Sequence, residues 1–112
     1  MSPIIKSIRR VNGATVVDAT GEINMHFSPD LHRALVELVA ERPARLVINL
    51  AEVAYIDSSG VGTLVEIFRR VKGYQGKLAL VSPPPRVKSM LEITKLDQFF
   101  TILTSEQDAL VV

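Results

Sequence analysis

Asp57-Ser58-Ser59-Gly60 and Gly62 bring three short polar residues and two glycines together at one turn of the chain. An apolar run, Arg45 to Leu50 with its continuation to Ile56, precedes them, and an amphipathic run from Val61 to Val71 follows. The first reads as strand and the second as helix, so the polar cluster falls where a helix begins. Asp and Ser suit that place because their oxygens accept from N–H groups that have no partner in a first helical turn. Gly60 and Gly62 leave the backbone open to close approach by another surface. A serine hydroxyl displayed at the positive end of a helix dipole is a sensible place for a phosphate.

Other chemistries lack their residues. No Gly-x-x-x-x-Gly-Lys follows the glycines, and the third glycine of a dinucleotide fingerprint is missing. There is no Gly-x-Ser-x-Gly elbow for a serine hydrolase. His26 and His32 have no third ligand in view for a metal, and nothing singles out a purine pocket. Asp57 has no base or metal ligand beside it and reads as a cap, or as a group orienting Ser58, rather than as a catalytic acid. The expectation is a non-enzymatic protein without cofactor or metal. Taken alone, Ser58 reads first as a helix cap.

The elements that must position this turn are legible in order. Ile4 to Val11 reads as an edge strand, Asn12-Gly13 as a hairpin turn, and Ala14 to Ala19 as the return strand, with Thr20 to Ile23 continuing it. Asn24-Met25-His26-Phe27 reads as a loop whose large apolar side chains, Met25 and Phe27, are expected at an interface. Ser28-Pro29-Asp30 opens a helix, with Ser28 as the expected cap. Leu31, Leu35, Leu38 and Val39 share one face of it, and Pro43 ends it. Leu46 to Leu50 has the composition of a strand covered on both faces. Val61, Leu64, Val65, Phe68 and Val71 recur at helical spacing, with Glu66, Arg69 and Arg70 outside. Lys77 to Val81 is another strand, Ser82-Pro83-Pro84-Pro85 a connection into a short helix, and Phe99 to Leu103 a last strand. Ser105 to Asp108 opens a final helix whose apolar side includes Leu110 and Val111. Strands and helices alternate, which implies one α/β domain over residues 1–112, a mixed sheet with helices packed on it.

Bulk composition agrees with a single soluble domain: 112 residues, 47% apolar and 22% charged. A net charge of +1 gives no argument for nucleic acid or an anionic membrane, and no stretch has the length of a membrane span. The absence of cysteine fits a cytoplasmic protein.

The run from Val47 through Val71 resembles the STAS domain, and in particular the bacterial anti-sigma factor antagonists. Leu46 to Leu50, Asp57-Ser58-Ser59-Gly60-Val61-Gly62 and Leu64 carry the resemblance. Thr20-Gly21-Glu22-Ile23, Lys77 to Val81 and Val87 to Leu96 extend it over almost the whole chain. The resemblance implies a partner switch in transcriptional stress signalling. The unphosphorylated protein would bind an anti-sigma factor that is also a serine kinase, freeing the sigma factor. The kinase would phosphorylate Ser58, and a serine phosphatase would restore it. The implied partner surface is Asp57, Ser58, Ser59, Gly60 and Gly62 with Asn24, Met25, His26 and Phe27. A STAS subunit of a lipid-transport assembly, contacting an ATPase without phosphorylation, is the alternative. Two residues depart from the family pattern: Asn24 stands where an aspartate is frequent, and Lys95 where a glycine is common.

Overall fold

The computed structural model describes residues 4–95, 98 and 100–111. Among these described residues, five strands and four helices alternate after an opening hairpin. They are β1 (Ile5–Val11), β2 (Ala14–Ile23), α1 (Ser28–Val39), β3 (Arg45–Ile56), α2 (Ser58–Gly73), β4 (Lys77–Val81), α3 (Pro85–Ile93), β5 (Thr101–Leu103) and α4 (Glu106–Ala109). The strands lie side by side in chain order in one mixed sheet. β1 is antiparallel to β2, and every later pair is parallel. Asn12 and Gly13 both have positive φ, as a two-residue type I′ hairpin requires.

Each parallel connection steps to the next strand in the same direction, so right-handed crossovers place α1, α2 and α3 on one face. The buried residues show this. Leu31 and Leu35 of α1, Leu64 and Ile67 of α2, and Val87 and Leu91 of α3 share one cluster with Val17, Leu46, Ile48, Leu50 and Leu80 of the sheet. The opposite face carries a smaller cluster of Ala14, Val16, Val47, Ala79 and Val81, closed by Ala109 of α4. β3 is therefore covered on both sides, as its composition requires. All three long helices begin at the edge where the parallel strands end, which brings the β2–α1 and β3–α2 connections together.

Three sequence expectations change. Ser28 is not a cap: it is the first residue of α1, buried, and Phe27 occupies the capping position without a side-chain bond. Val111 is not on the apolar side of α4 but 79% exposed, whereas Leu110 packs against the second cluster. The last strand is Thr101–Leu103; Phe99, and Leu96 of the segment matched to the family, lie outside the described residues.

The helix ends carry a cost that composition hides. Arg42, Gln75 and Lys95, just past the ends of α1, α2 and α3, all have φ between +52° and +64°. That left-handed conformation suits glycine and penalises a side chain by about 1–2 kcal/mol. Lys95 is exposed, with φ +61° and its N–H on Glu92 O at 3.0 Å. Lys95→Gly should raise stability by about 0.5–1 kcal/mol, after glycine's greater freedom in the unfolded chain is subtracted. A urea titration that places its midpoint at or below the parent's would refute this.

Candidate functional site

The site is built where β2 and β3 end together. Ile23 pairs with Ile56, and Asp57 N–H donates to Ile23 O at 3.1 Å, so the two strands deliver their following loops to the same place. Asp57 is extended, with φ −106° and ψ −174°, and α2 starts at the next residue. Its carboxylate caps the helix: Oδ1 accepts from Ser59 N at 2.9 Å, Gly60 N at 3.2 Å and the Ser59 hydroxyl at 2.6 Å. Oδ2 reaches across to the other loop and accepts from Met25 N at 3.2 Å. The Ser59 hydroxyl, followed by these backbone N–H groups, holds the Asp57 carboxyl below its ordinary value. The cap is therefore an anion at neutral pH.

The two serines have different fates. Ser59 is half-buried and committed: its hydroxyl donates to Asp57 and accepts from the Ser28 hydroxyl at 3.1 Å. Ser28 thus ties the start of α1 to the start of α2. Ser58 is exposed, and among the described residues its hydroxyl has no hydrogen-bond partner. Of the two adjacent hydroxyls, only Ser58 is free to react.

Gly60 is required by the fold. A Cβ there would lie 2.6 Å from Ile23 Cγ2, 2.7 Å from Ile56 Cγ1 and 2.8 Å from Ile23 O. The surface that approaches this backbone is the protein's own β2 terminus, which corrects the expectation that both glycines open the turn to a partner. Gly62 does fit that expectation: it is exposed, and a Cβ there would meet nothing within 4 Å.

The β2–α1 loop stands beside the turn. Asn24 Oδ1 accepts from His26 N at 3.0 Å and Phe27 N at 3.1 Å, while its carbonyl accepts from Ser28 N at 2.7 Å. Asn24 is half-buried and shapes the loop, work that an aspartate could also do with the same oxygen. Met25 projects outward, 77% exposed, and His26 is exposed as well. Phe27 instead packs against the main core and meets the His26 ring edge-on. Outward-facing residues at the site are thus Ser58, Gly62, Met25 and His26. Asp57, Ser59, Gly60, Asn24 and Phe27 hold them in place. Nothing in the sequence marked Ser28 as a member of this hydrogen-bond chain, because a serine before proline reads as a cap.

One side-chain contact joins α1 to α2, and a second pair lies along α2 itself. His32 contacts Glu66, and Arg70 lies 3.6 Å from the same carboxylate. Among the described residues no group of three or more His, Asp or Glu side chains could hold a metal ion, and no helix is long and apolar enough to cross a membrane.

Comparison with known proteins agrees with this geometry. The STAS domain family model matches residues 6–109. The anti-sigma-B factor antagonist of Bacillus subtilis is 38% identical over 86 residues, covering 77% of this chain and 78% of that one. The crystal structure of an anti-sigma factor antagonist from Mycobacterium paratuberculosis superposes with a TM-score of 0.88 at 29% identity, covering 99% of this chain and 97% of the other. The phosphorylated form of the Bacillus cell fate determinant SpoIIAA shares the fold, with a TM-score of 0.70 at 18% identity over 96% of this chain and 95% of the other. The polar turn between β3 and α2, the order of the elements and these likenesses converge: the chain belongs to the STAS domain family, among its anti-sigma factor antagonists.

Proposed function

We propose that this protein is a cytoplasmic anti-sigma factor antagonist whose binding is switched by phosphorylation of Ser58. The observation that carries the reading is the contrast between the two serines. Ser59 is held by Asp57 and Ser28, while the neighbouring Ser58 hydroxyl is exposed and unpartnered. The likeness to antagonists that match over most of both chains supports it. In the unmodified form, Ser58, Gly62, Met25 and His26 would meet an anti-sigma factor that is also a serine kinase. That kinase would transfer the γ-phosphoryl of ATP to Ser58 Oγ, releasing ADP and the hydroxyl proton, and a serine phosphatase would reverse the modification.

A helix N-terminus ordinarily offers an anion free N–H groups. Here Asp57 already occupies those of Ser59 and Gly60, and its backbone carbonyl accepts from Val61 N at 3.0 Å. Phosphorylation adds about −1.5 to −2 charges, and it would do so beside an existing carboxylate rather than in a vacant cradle. At an exposed site the repulsion is on the order of 1 kcal/mol, small against a typical fold stability of about 5–15 kcal/mol. The phosphate would then stay in water, where a docking partner must desolvate it or clash with it.

The test is affinity capture from the native host with Ser58→Ala and Ser58→Asp baits. The Ala bait is expected to retrieve an ATP-binding serine kinase that the Asp bait loses. Thermal unfolding of the two baits should differ by only a few degrees. Two baits that retrieve the same transport-assembly components would overturn the switch.

A further inference from the structure

The densest set of charged contacts outside the Ser58 turn lies on the other face of the sheet. Arg9 of β1 is fixed to the sheet by Asp18 of β2, with Nε on Oδ2 at 2.6 Å and Nη2 on Oδ1 at 2.9 Å. Asp18 is in turn held by the Ser7 hydroxyl at 2.6 Å and the Asn49 amide at 2.9 Å. The outer edge of the same guanidinium reaches Glu106 of α4, with Nη1 on Oε2 at 3.0 Å. Arg9 therefore stands as a post anchored on three strands, with its free side turned to the last helix.

That helix has little else to hold it. α4 is four residues long, far below the length at which a helix is stable alone. Ala109 is its one buried residue, and Leu110 beyond it is half-buried. Preceding residues are stapled down: Ser82 N donates to Leu103 O and the Ser82 hydroxyl to Thr104 O, both at 2.9 Å. Among the described residues, hydrogen bonds from this backbone to the Ser82 end of β4 thus stop at Thr104. Beneath α4 lie Val16, Val47, Ala79 and Val81, all buried.

We propose that residues 105–111 form a strap, clasped by Arg9 through Glu106, that opens separately from the rest of the fold and uncovers this second apolar face. Thr104 is the hinge. Opening breaks the Arg9–Glu106 contacts, lifts Ala109 and Leu110 off the sheet and exposes the small side chains beneath them, Ala79 among them, while Arg9 keeps its bonds to Asp18. The helix-covered face, with α1, α2 and the Ser58 turn, is untouched. Segments with so few buried contacts sit at the low end of the range of local stabilities within a fold.

The chain contains no cysteine, so a single introduced thiol is a clean reporter. Ala79→Cys places it under the strap, and Ala19→Cys places a control under the helices, where Ala19 is likewise buried. Adding Glu106→Gln is expected to speed labelling at position 79 at least tenfold while leaving position 19 unchanged. Amide hydrogen exchange in a chain carrying Glu106→Gln alone gives the same reading without cysteines. The Asp108 and Leu110 amides should exchange at least tenfold faster, and Val61 of α2 should not. If both thiols accelerate together, the strap opens only with the whole fold and the proposal fails. Unchanged labelling at both positions would mean that the Arg9–Glu106 clasp does not hold the strap, and the proposal fails on that ground.

Discussion

Gly60→Ala is expected to destabilise the protein by about 3 kcal/mol, near the upper end of what an overpacked core substitution costs. The methyl group would need to occupy space 2.6–2.8 Å from three atoms, one of them the carbonyl oxygen of Ile23. A side chain can rotate away from such a contact, but this carbonyl cannot. It accepts the Asp57 N–H, and Ile23 is in register with Ile56 at the closing end of the β2–β3 pair. Relief would have to come from sliding α2 off the sheet, which disturbs Val61 and Leu64 in the core. Gly62→Ala, two residues along the same helix, is the matched control. Nothing lies within 4 Å of its Cβ position, so alanine's better helix propensity should stabilise it by up to about 1 kcal/mol. Chemical denaturation of the pair reads both signs. A Gly60→Ala midpoint within error of the parent would show that the helix start is not seated against β2 as described. In the functional frame the two variants separate again. Gly62→Ala places a methyl on the surface proposed for the partner while keeping the fold, so it should weaken binding without lowering stability.

The sequence made the centre of this site legible because the relevant signals are local. A β-branched run, a polar turn with a cap residue and a helical apolar period sit within Leu46 to Val71, and each constrains only its neighbours. Asn12-Gly13 and the Pro83–Pro85 connection were legible for the same reason. What stayed hidden depends on pairs distant in sequence, or on backbone states that have no compositional mark. Arg9 and Glu106 are 97 residues apart, and Asp18 and Asn49 are 31 apart. Read singly, each is an ordinary surface residue. Ser28 offered a local signal that pointed the wrong way. Its hydroxyl was free to cap α1, but Asn24 already shapes the preceding turn, so Ser28 is buried against Ser59 instead. Arg42, Gln75 and Ser82 adopt positive φ without being glycine or asparagine, which no residue preference foretells. Lys95 was visible in advance only because the family pattern carries glycine there.

Asp18→Ala should cost about 2–3 kcal/mol at neutral pH, since it removes four hydrogen bonds to one carboxylate. It would leave the Asn49 amide and the Ser7 hydroxyl without that acceptor, and Arg9 held from one side only. The value is set below that of a fully buried ion pair because the Arg9 side chain is 38% exposed, against 13% for Asp18. The same geometry fixes a pH dependence. Arg9, then the Ser7 and Asn49 donors, hold the Asp18 carboxyl well below the usual carboxylate range. A carboxyl whose pKa is depressed by folding contributes stability that is complete above its unfolded value of about 3.9 and is lost as pH falls through the lower folded value. The parent should therefore lose stability steeply below about pH 4, and Asp18→Ala should show a shallower acid limb. Some slope should remain, because folding also depresses the Asp57 carboxyl. Equilibrium unfolding measured from pH 7 down to pH 2 on both chains decides it. Acid limbs of equal steepness would mean that Arg9 does not hold Asp18 as an ion pair, and with that the post on which the last helix is clasped would be gone.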